Sequence, residues 1–350
     1  MTHFKALLDG HDVHLQTQTL ELTLSEDFTE LGSDEFTTHI QNLKCNKASG
    51  CDQLKSEAIK FADSVTKNNL RRIMERCLNG EPIPESWREA TIWPIHKNGS
   101  MKLAENYRGI TLSNSIYKLY ASILNSRLEE FTEREHILQD TQNGFRKMRC
   151  TIDNIYILNH CVNKSISKGQ KLYAFFVDFR AAFDSIDRPL LFEFLKRVKA
   201  PQYLISAITD IYRCTPFKIE ENTFYTEKGL KQGCPLSPLL FAIFLSDLEK
   251  TLKNFQSGGV VIGREKIFSL AYADDLVLLS EREDDMREMI GAFYRYTVKK
   301  KLTVNTSKSK MMVFSRGGRM SKNKWCFGGS LVEEVKYFKY LGFNFQSSGK

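Results

Sequence analysis

The spacing of apolar positions predicts helices and one short strand in the first third of the chain. Phe36, Ile40 and Leu43 recur at helical spacing, so a helix is expected from Asp34, as its N-cap, toward Lys44. The other elements predicted in this part are a helix ending at Phe61, helices over 67–78 and 113–131, and a strand at 92–97.

From residue 172 onward the pattern changes to strands separated by helices. Residues 172–178 form a nearly continuous apolar strand that ends in an acid, and 268–280 form an apolar hairpin. The pattern further predicts helices after Pro189, over 201–213, through Leu252 and over 283–298, with strands at 216–219, 223–227 and 310–314. Without inserts the order is β-α-β-β-α-β, which predicts an α+β fold with a ferredoxin-like antiparallel sheet backed by helices.

Two adjacent aspartates, Asp274 and Asp275, interrupt the apolar hairpin. Burying an unpaired carboxylate is costly, so the pair calls for a physical reason. In most proteins an Asp-Asp pair in a turn is only a structural turn element. In this topology, however, the first strand lies beside the hairpin, so Asp178 is expected to approach Asp274. Three carboxylates at one sheet edge suit Mg²⁺ and a two-metal phosphoryl transfer.

Composition limits the class of protein. With 350 residues, 42% hydrophobic and 26% charged, the chain is expected to be globular with two packed subdomains. No apolar run approaches the ~20 residues of a membrane span, and the amino terminus lacks the pattern of a secretory signal, so an intracellular protein is predicted. The eight cysteines are scattered without a Cys-x-x-Cys pair, which favours reduced thiols over a zinc site.

The net charge of +8 is concentrated near the end of the chain. Residues 295–324 carry ten Lys/Arg and no Asp/Glu, whereas the other 40 basic residues are balanced by 42 acidic ones. Charge runs are usually solvated faces. A run this one-sided favours contact with phosphates, which dominate the affinity for nucleic acids.

Seven motifs, in order, resemble those of the reverse transcriptases of non-LTR (LINE-type) retrotransposons, over roughly residues 34–350. They are Asn106-Tyr-Arg-Gly-Ile-Thr-Leu112 with Lys118-Leu-Tyr120 and Asn125-Ser-Arg-Leu128; Gln142-Asn-Gly-Phe-Arg-Lys147 with Thr151-Ile-Asp153; Phe176-Val-Asp-Phe-Arg-Ala-Ala-Phe-Asp-Ser185; Lys231-Gln-Gly-Cys-Pro-Leu-Ser-Pro238; Tyr272-Ala-Asp-Asp275; Asn305-Thr-Ser-Lys-Ser-Lys310; and Tyr340-Leu-Gly342. Any one motif would be weak evidence, but the ordered set is specific.

The resemblance implies catalytic and metal-binding roles. Asp178 and Asp274 would be the principal metal ligands, and Asp275 would complete the acidic cluster. The carbonyl of Phe179 would add a further ligand. Lys308 matches a lysine placed to protonate pyrophosphate. The implied cofactor is a pair of Mg²⁺ ions, with Mn²⁺ as a substitute.

The resemblance also implies contacts with nucleotide and template. Phe183 occupies the steric-gate position, where a bulky ring would exclude a ribose 2′-hydroxyl; the alternative is a core aromatic, and the ring could serve as both. The remaining implied nucleotide contacts are Lys97 and Arg108 at the triphosphate, and Gln232 and Gly233 against the nucleotide and template. The implied template contacts are Arg146, Lys147 and Arg149, for which a solvated loop is an equal alternative.

The implied organisation is a fingers–palm core. Residues 1–33 would be a flexible linker, 34–170 the fingers, 171–316 the palm with the catalytic site, and 317–350 a terminal palm hairpin. The turn Lys47-Ala-Ser-Gly-Cys-Asp-Gln53 and the segment Met148-Arg-Cys-Thr151 depart from the usual pattern. The sequence stops just after Tyr340-Leu-Gly342, so a fragment without thumb or endonuclease is expected.

The function implied is an RNA-directed DNA polymerase that uses an RNA template, a DNA primer and dNTPs. It would act as a ribonucleoprotein in the nucleus or cytoplasm, without a membrane, and its oligomeric state stays open. The alternative is an inactive relic that binds RNA. A group II intron-like maturase is disfavoured by the catalytic hairpin and the 231–238 loop. An RNA-dependent RNA polymerase usually carries Gly-Asp-Asp and lacks a bulky gate, so it ranks last.

Overall fold

The computed structural model describes residues 2–8, 28–97, 99–213, 215–219, 222–320 and 323–349. The helices are α1 (Thr2–Leu8), α2 (Ser33–Gln41), α3 (Ser56–Lys60), α4 (Ser64–Leu78), α5 (Glu85–Arg88), α6 (Ser115–Arg134), α7 (Thr151–Ser167), α8 (Arg188–Arg197), α9 (Gln202–Tyr212), α10 (Ser237–Leu245), α11 (Leu248–Phe255) and α12 (Glu283–Lys299). The strands are β1 (Ala90–His96), β2 (Tyr107–Ser113), β3 (Leu172–Val177), β4 (Thr215–Ile219), β5 (Asn222–Thr226), β6 (Val260–Ile262), β7 (Glu265–Ile267), β8 (Ser269–Tyr272), β9 (Asp275–Ser280), β10 (Lys310–Phe314), β11 (Trp325–Phe327), β12 (Ser330–Glu334), β13 (Tyr337–Tyr340) and β14 (Phe343–Gln346).

The chain divides into two compact units, each made of two segments. Unit 1 comprises 1–135 and 183–240, and unit 2 comprises 136–182 and 241–350. These boundaries differ from the ranges expected for fingers and palm, whose functional division stays a prediction.

Unit 1 contains a four-stranded sheet and a helical layer. The sheet has the order β2-β1-β4-β5, in which β1 runs antiparallel to β2 and parallel to β4. Phe4 and Leu8 of α1 pack against its core of apolar side chains. In the helical layer α6 contacts α2, α3, α5 and α9, because Tyr117, Leu119 and Tyr120 of α6 are fully buried.

The amino-terminal part differs from the expected linker and cap. Thr2–Leu8 is helical, while residues 9–27 of the expected linker lie outside the described residues. The N-cap of α2 is Gly32, so the prediction of Asp34 as the N-cap is wrong. Asp34 instead lies in the first helical turn, where a negative charge interacts favourably with the helix dipole.

Unit 2 contains the ferredoxin-like sheet that the sequence predicts. The six strands have the order β11-β12-β10-β3-β9-β8, and within the group from β10 to β8 each adjacent pair is antiparallel. The expected α+β fold is therefore confirmed. The short strands β11 and β12 extend the sheet beyond the prediction, with β12 parallel to β10. The other two predicted strands, β4 and β5, belong to the sheet of unit 1.

Strand β3 is apolar without interruption because it is buried on both faces. Leu172, Ala174 and Phe176 belong to a core cluster with side chains of α7 and of the terminal hairpin β13–β14. On the other face, Phe175 lies 6.1 Å from Phe327, between ring centroids. A strand covered on both sides needs no polar alternation.

The long apolar helix predicted through Leu252 is interrupted between α10 and α11. Asp247 lies at the break, where its Oδ1 accepts a 2.8 Å hydrogen bond from the Tyr296 hydroxyl and pairs with Lys300 Nζ at 3.0 Å. The backbone therefore turns to bring this carboxylate to two residues at the end of α12. Among the described residues, no helix is both long and apolar enough to cross a membrane.

Candidate active site

Two neighbouring strands of unit 2 bring the three predicted acidic positions together. In the β3–β9 ladder Val177 lies opposite Leu276, so the next position of that register places Asp178 opposite Asp275. Strands β8 and β9 are joined by a tight turn, with Tyr272 paired to Asp275. The turn contains Asp274, preceded by Ala273 at a left-handed φ of 59°. The predicted convergence of sequence-distant acids is thus present in the strand register.

The electrostatics of this edge favour a cation. Loss of hydration, together with the negative charges of Asp274 and Asp178, raises the pKa of Asp275 to about 6. Asp274 and Asp275 are exposed and Asp178 is half-buried, so solvent screens part of this repulsion. A bound divalent cation would relieve it, and carboxylate oxygens are suitable donors for one.

In the described residues, the carboxylates of Asp178, Asp274 and Asp275 are not arranged as a complete set of metal ligands. Within the part of the chain that the structure describes, no group of three or more His, Cys, Asp or Glu side chains has the arrangement of a metal site. The donor chemistry of the three carboxylates fits a divalent metal.

The backbone of Asp178 is fixed by the loop that contains Lys308. The Asp178 carbonyl accepts a 2.7 Å hydrogen bond from the Asn305 amide, and its amide donates to Ser309 Oγ at 3.0 Å. Lys308 lies between these two residues in sequence and is exposed. The loop therefore ties the predicted pyrophosphate lysine to the first acidic position.

Phe179 pairs with Val304 in an isolated antiparallel bridge. The two hydrogen bonds beside that bridge involve Asp178 and Arg180 rather than Phe179 itself. The predicted use of the Phe179 carbonyl as a metal ligand stays a prediction.

The predicted template residues come directly after the segment 142–145, which lies against the turn that contains Asp274. Arg146 Nη1 donates to the carbonyls of Gln139 and Gln142 at 3.0 and 3.2 Å, so this guanidinium supports the local backbone. Arg149 pairs with Asp140 at 3.1 Å, and Lys147 is exposed. Contact between these three residues and a template stays a prediction.

In unit 1, three predicted nucleotide-binding residues interact with a carboxylate, Asp184, that the prediction omitted. Asp184 Oδ2 accepts a 2.7 Å hydrogen bond from Gln232 Nε2. Loss of hydration raises the pKa of Asp184 to about 6, while this hydrogen bond and the charges of Lys97 and Arg108 act in the opposite direction. The structure therefore brings Gln232, Lys97 and Arg108 within electrostatic reach of one acid.

The loop containing Gln232 and Gly233 lies against β2. The Thr111 amide donates to the Gln232 carbonyl at 2.7 Å. Gly233 has a φ of 105°, and a Cβ there would lie 3.2 Å from the Thr111 carbonyl oxygen. Such a φ is costly for any other residue, which accounts for glycine at this position.

The predicted gate residue Phe183 is held by the same loop. Its carbonyl accepts a 2.8 Å hydrogen bond from the Leu230 amide, and the Gly229 amide donates to Ile186 at 2.7 Å. The Phe183 ring is half-buried. The ring is therefore partly accessible to solvent.

Two buried basic side chains, Lys231 and Arg188, contact the backbone at or near this loop. Lys231 is fully buried; its Nζ donates to the Arg88 carbonyl at 3.1 Å and lies 4.2 Å from the centroid of the Tyr117 ring. Arg188 Nε donates to the Gly229 carbonyl at 2.9 Å. Burial lowers the pKa of Lys231 to about 7.

The sequence reasoning missed two contacts, those of Asp184 and Lys231 with the loop or segment beside them. Both residues stand inside quoted motifs, but a motif does not show which of its members acts through a neighbour. A signal was present for Asp184, as an acid directly after the predicted gate, and for Lys231, as a lysine beside an apolar helix.

The ferredoxin-like sheet, with acids beside its central strand and in its hairpin, is the arrangement expected of a polymerase palm. Residues 95–345 match the family described as "Reverse transcriptase (RNA-dependent DNA polymerase)", and the chain belongs to that family. The resemblance inferred from the motifs is thereby confirmed. Enzymes of this family generally depend on a divalent metal and act on a primed template with dNTPs.

The chain is also similar to proteins of retrotransposons. It is 32% identical over 213 residues to a retrovirus-related Pol polyprotein from the type-1 retrotransposable element R2 of Popillia japonica, covering 57% of this chain and 35% of that protein. It is 26% identical over 360 residues to the RNA-directed DNA polymerase from mobile element jockey of Drosophila funebris, covering 97% and 38%. A probable RNA-directed DNA polymerase from transposon BS of Drosophila melanogaster is 26% identical over 286 residues, covering 79% and 31%. The chain spans about a third of the length of these relatives.

Proposed function

We propose that this chain is the polymerase core of a non-LTR retrotransposon and synthesises DNA on an RNA template. The observation that carries the proposal is the register that sets Asp178 opposite Asp275, beside the turn with Asp274. Membership of the reverse transcriptase family supports a primed template and dNTPs as the substrates. The protein would work as a ribonucleoprotein in the nucleus or cytoplasm.

Asp178, Asp274 and Asp275 would hold two Mg²⁺ ions, with the Phe179 carbonyl as a further donor and Mn²⁺ as a substitute. Bound there, the ions supply Lewis-acid stabilisation of the attacking and leaving oxygens. The negative charges of Asp274 and Asp178 act on Asp275 in the direction that raises its pKa, and a bound cation would offset this repulsion.

The reaction proposed is nucleotidyl transfer. The primer 3′-oxygen forms a bond to the α-phosphorus of the dNTP, its proton passes to solvent, and the bond to the bridging oxygen of the pyrophosphate breaks. Lys308 would donate a proton to that leaving group. Its loop position, tied through Asn305 and Ser309 to the backbone of Asp178, supports this role.

The residues of unit 1 would select and orient the nucleotide. Lys97 and Arg108 would contact the triphosphate, since guanidinium suits bidentate phosphate binding. Gln232 and Gly233 would border the nucleotide and template, and Phe183 would exclude a 2′-hydroxyl. The hydrogen bond from Gln232 to Asp184 supports a fixed loop for this purpose.

Primer extension tests the proposal. Wild-type protein with Mg²⁺, poly(rA)/oligo(dT) and dTTP is expected to incorporate nucleotides, and Asp274→Asn is expected to abolish incorporation. Asp285→Asn, an acid in the first turn of α12, is a matched control that should leave extension intact. Equal incorporation by wild type and Asp274→Asn would overturn the proposal.

A second candidate function, an inactive relic that binds RNA, is favoured by the basic segment 295–324. Among the described residues of this segment, seven cations are exposed: Arg295, Lys299, Lys301, Lys308, Arg316, Arg319 and Lys324. Two others have local acidic partners, because Lys300 pairs with Asp247 and Lys310 pairs with Glu333 at 2.7 Å.

Filter binding at increasing salt separates this candidate from a mere solvated face. Contact with RNA phosphates predicts affinity that falls steeply with salt, and removal of one contacting cation reduces the slope by roughly one. Arg316→Ala with Arg319→Ala should reduce the slope, whereas Lys310→Ala should change it little. Binding without salt dependence would exclude this candidate.

A further inference from the structure

Residues 141–143 form a short extension of the catalytic sheet. The Ala271 amide donates to the Thr141 carbonyl at 2.9 Å, and the Asn143 amide donates to the Ala271 carbonyl at 3.0 Å. Gln142 and Ala271 form a parallel bridge. The segment is therefore attached to the outer side of β8, the strand that leads into the catalytic turn.

The side chain of Gln142 reaches the turn itself. Its Oε1 accepts hydrogen bonds from the Gly144 amide at 2.9 Å and from the Ala273 amide at 3.3 Å. Gln142 is 6% exposed, so these bonds form away from competing water. Ala273 directly precedes Asp274 and has a φ of 59°, a conformation that a non-glycine residue adopts only with support.

The backbone at Gly144 is in close contact with the same turn. A Cβ at Gly144 would lie 2.2 Å from the Ala273 nitrogen and 2.8 Å from the Tyr272 carbonyl carbon. No side chain fits there. Phe145 then packs near Tyr272, with 6.4 Å between ring centroids. The segment thus contacts the turn through Gln142, Gly144 and Phe145.

A buried amide chain anchors this segment on its far side. Asn143 Nδ2 donates to Asn154 Oδ1, and Asn154 Nδ2 donates to the Tyr340 hydroxyl at 3.4 Å. Asn143 and Asn154 are fully buried, and Tyr340 is 3% exposed. The segment is therefore fixed to α7 and to the terminal hairpin before it contacts the turn.

We propose that Gln142 is a positioning residue for the catalytic turn. By accepting the Ala273 amide it stabilises the left-handed backbone at Ala273, and this sets where Asp274 and Asp275 lie relative to Asp178. The part of the inference that concerns metal binding rests on the polymerase function proposed above. The part that concerns the turn rests on hydrogen bonding alone.

Amide hydrogen exchange at Ala273 tests the positioning directly, by NMR of protein labelled with ¹⁵N-alanine. In wild type the Ala273 amide is expected to be protected although it lies in a turn. In Gln142→Met, which keeps the size but removes the acceptor, its exchange should accelerate about five- to tenfold. The amide of Ala174 in β3 should not change. An unprotected Ala273 amide in wild type would overturn the proposal even if Gln142→Met fails to fold.

Two further variants separate positioning from general stability. Gln142→Glu keeps an acceptor oxygen and should keep Ala273 protected. Gln170→Met makes the same chemical change at an exposed glutamine and should leave all readouts unchanged. Equal acceleration at Ala273 and Ala174 in Gln142→Met would show a merely structural role and would overturn the proposal, as would unchanged exchange at Ala273.

Manganese binding followed by electron paramagnetic resonance gives the second readout. Gln142→Met is expected to bind Mn²⁺ about tenfold more weakly, as when a residue that supports a ligand is removed. Unchanged Mn²⁺ affinity would overturn the link between the turn and the metal. A protein with a protected Ala273 but no primer extension would contradict the polymerase proposal alone, and an active protein with an unprotected Ala273 would contradict the positioning alone.

Discussion

Gln232 Nε2 donates a 2.7 Å hydrogen bond to Asp184 Oδ2. Gln232 belongs to the loop before α10, and Asp184 directly follows the predicted gate residue Phe183. The bond therefore joins two segments for which the family resemblance implies nucleotide contact. Asp184 needs no contact of its own with the nucleotide to influence how both segments are held.

Removal of this acceptor should weaken nucleotide binding. Asp184→Ala leaves the Gln232 amide without its partner, which costs about 1–2 kcal/mol and predicts a roughly 5- to 30-fold higher KM for dTTP. Steady-state primer extension measures this. Asp184→Asn keeps an acceptor and should raise KM less, and Glu193→Gln on α8 serves as the control. An unchanged KM in Asp184→Ala would contradict the predicted support of Gln232.

The gate prediction concerns sugar selection. Phe183→Val should allow ribonucleotides to enter, so the preference for dTTP over UTP, compared as kcat/KM, is expected to fall roughly 10- to 200-fold. The rate with dTTP should change much less, because the proposed role of Phe183 is to exclude a 2′-hydroxyl and not to bind the metal ions. If the preference persists in Phe183→Val, the ring is a packing residue only.

Burial of Lys231 predicts a pH dependence of stability. Its pKa is lowered to about 7 in the folded protein from an ordinary 10.5, so between these values the unfolded chain keeps a proton that the folded chain has released. Stability from this residue therefore rises with pH by about 1.4 kcal/mol per unit above pH 7. Below pH 7 the full cost of burying the cation is present.

The comparison with Lys231→Met isolates this effect. The free energy of unfolding, measured in urea at pH 6.5 and pH 9, should rise by about 2–3 kcal/mol more in wild type than in the variant. Lys196→Met, an exposed lysine on α8, should behave like wild type. Parallel pH curves for wild type and Lys231→Met would contradict a neutralised buried amine.

The pair of Asp247 and Lys300 predicts an asymmetry between two variants. Lys300 is 7% exposed, and its Nζ contacts Asp247 at 3.0 Å and the Phe244 carbonyl at 2.7 Å. Asp247→Ala leaves a buried cation unpaired and should cost about 3–5 kcal/mol, whereas Lys300→Met should cost less because Asp247 is partly exposed. Urea unfolding of both variants measures the difference, and equal or reversed losses would contradict it.

The sequence predicted the sheet and its acids well because both follow from local patterns. The apolar run of β3 and the Asp-Asp interruption are visible without knowledge of any neighbour. The same reasoning missed the break before α11, since the apolar pattern continues there and the cause is the contact of Asp247 with α12. It missed the Gln142 contact for the same reason: side-chain acceptors across sequence-distant segments leave no periodic signal.

The number of cations in this part of the chain could likewise be counted from the sequence, but the sequence does not show which of them are exposed. The ten cations of 295–324 look equivalent in sequence, yet Lys300 is buried in an ion pair and Lys310 pairs with Glu333. The exposed remainder is what can meet phosphate. Burial and pairing depend on tertiary contacts, so a count of charges overstates the available surface.

The attachment of residues 141–143 to β8 has a consequence for self-association. A terminal strand of a sheet presents unpaired backbone groups to which another molecule's strand can add, and such edges are a common start of aggregation. The backbone of Ala271 is already saturated from that side by Thr141 and Asn143. The pairing of residues 141–143 with Ala271 therefore also protects the edge of the sheet. Its loss would expose unpaired backbone groups of β8 to other molecules, in addition to the proposed effect on the positions of the acids.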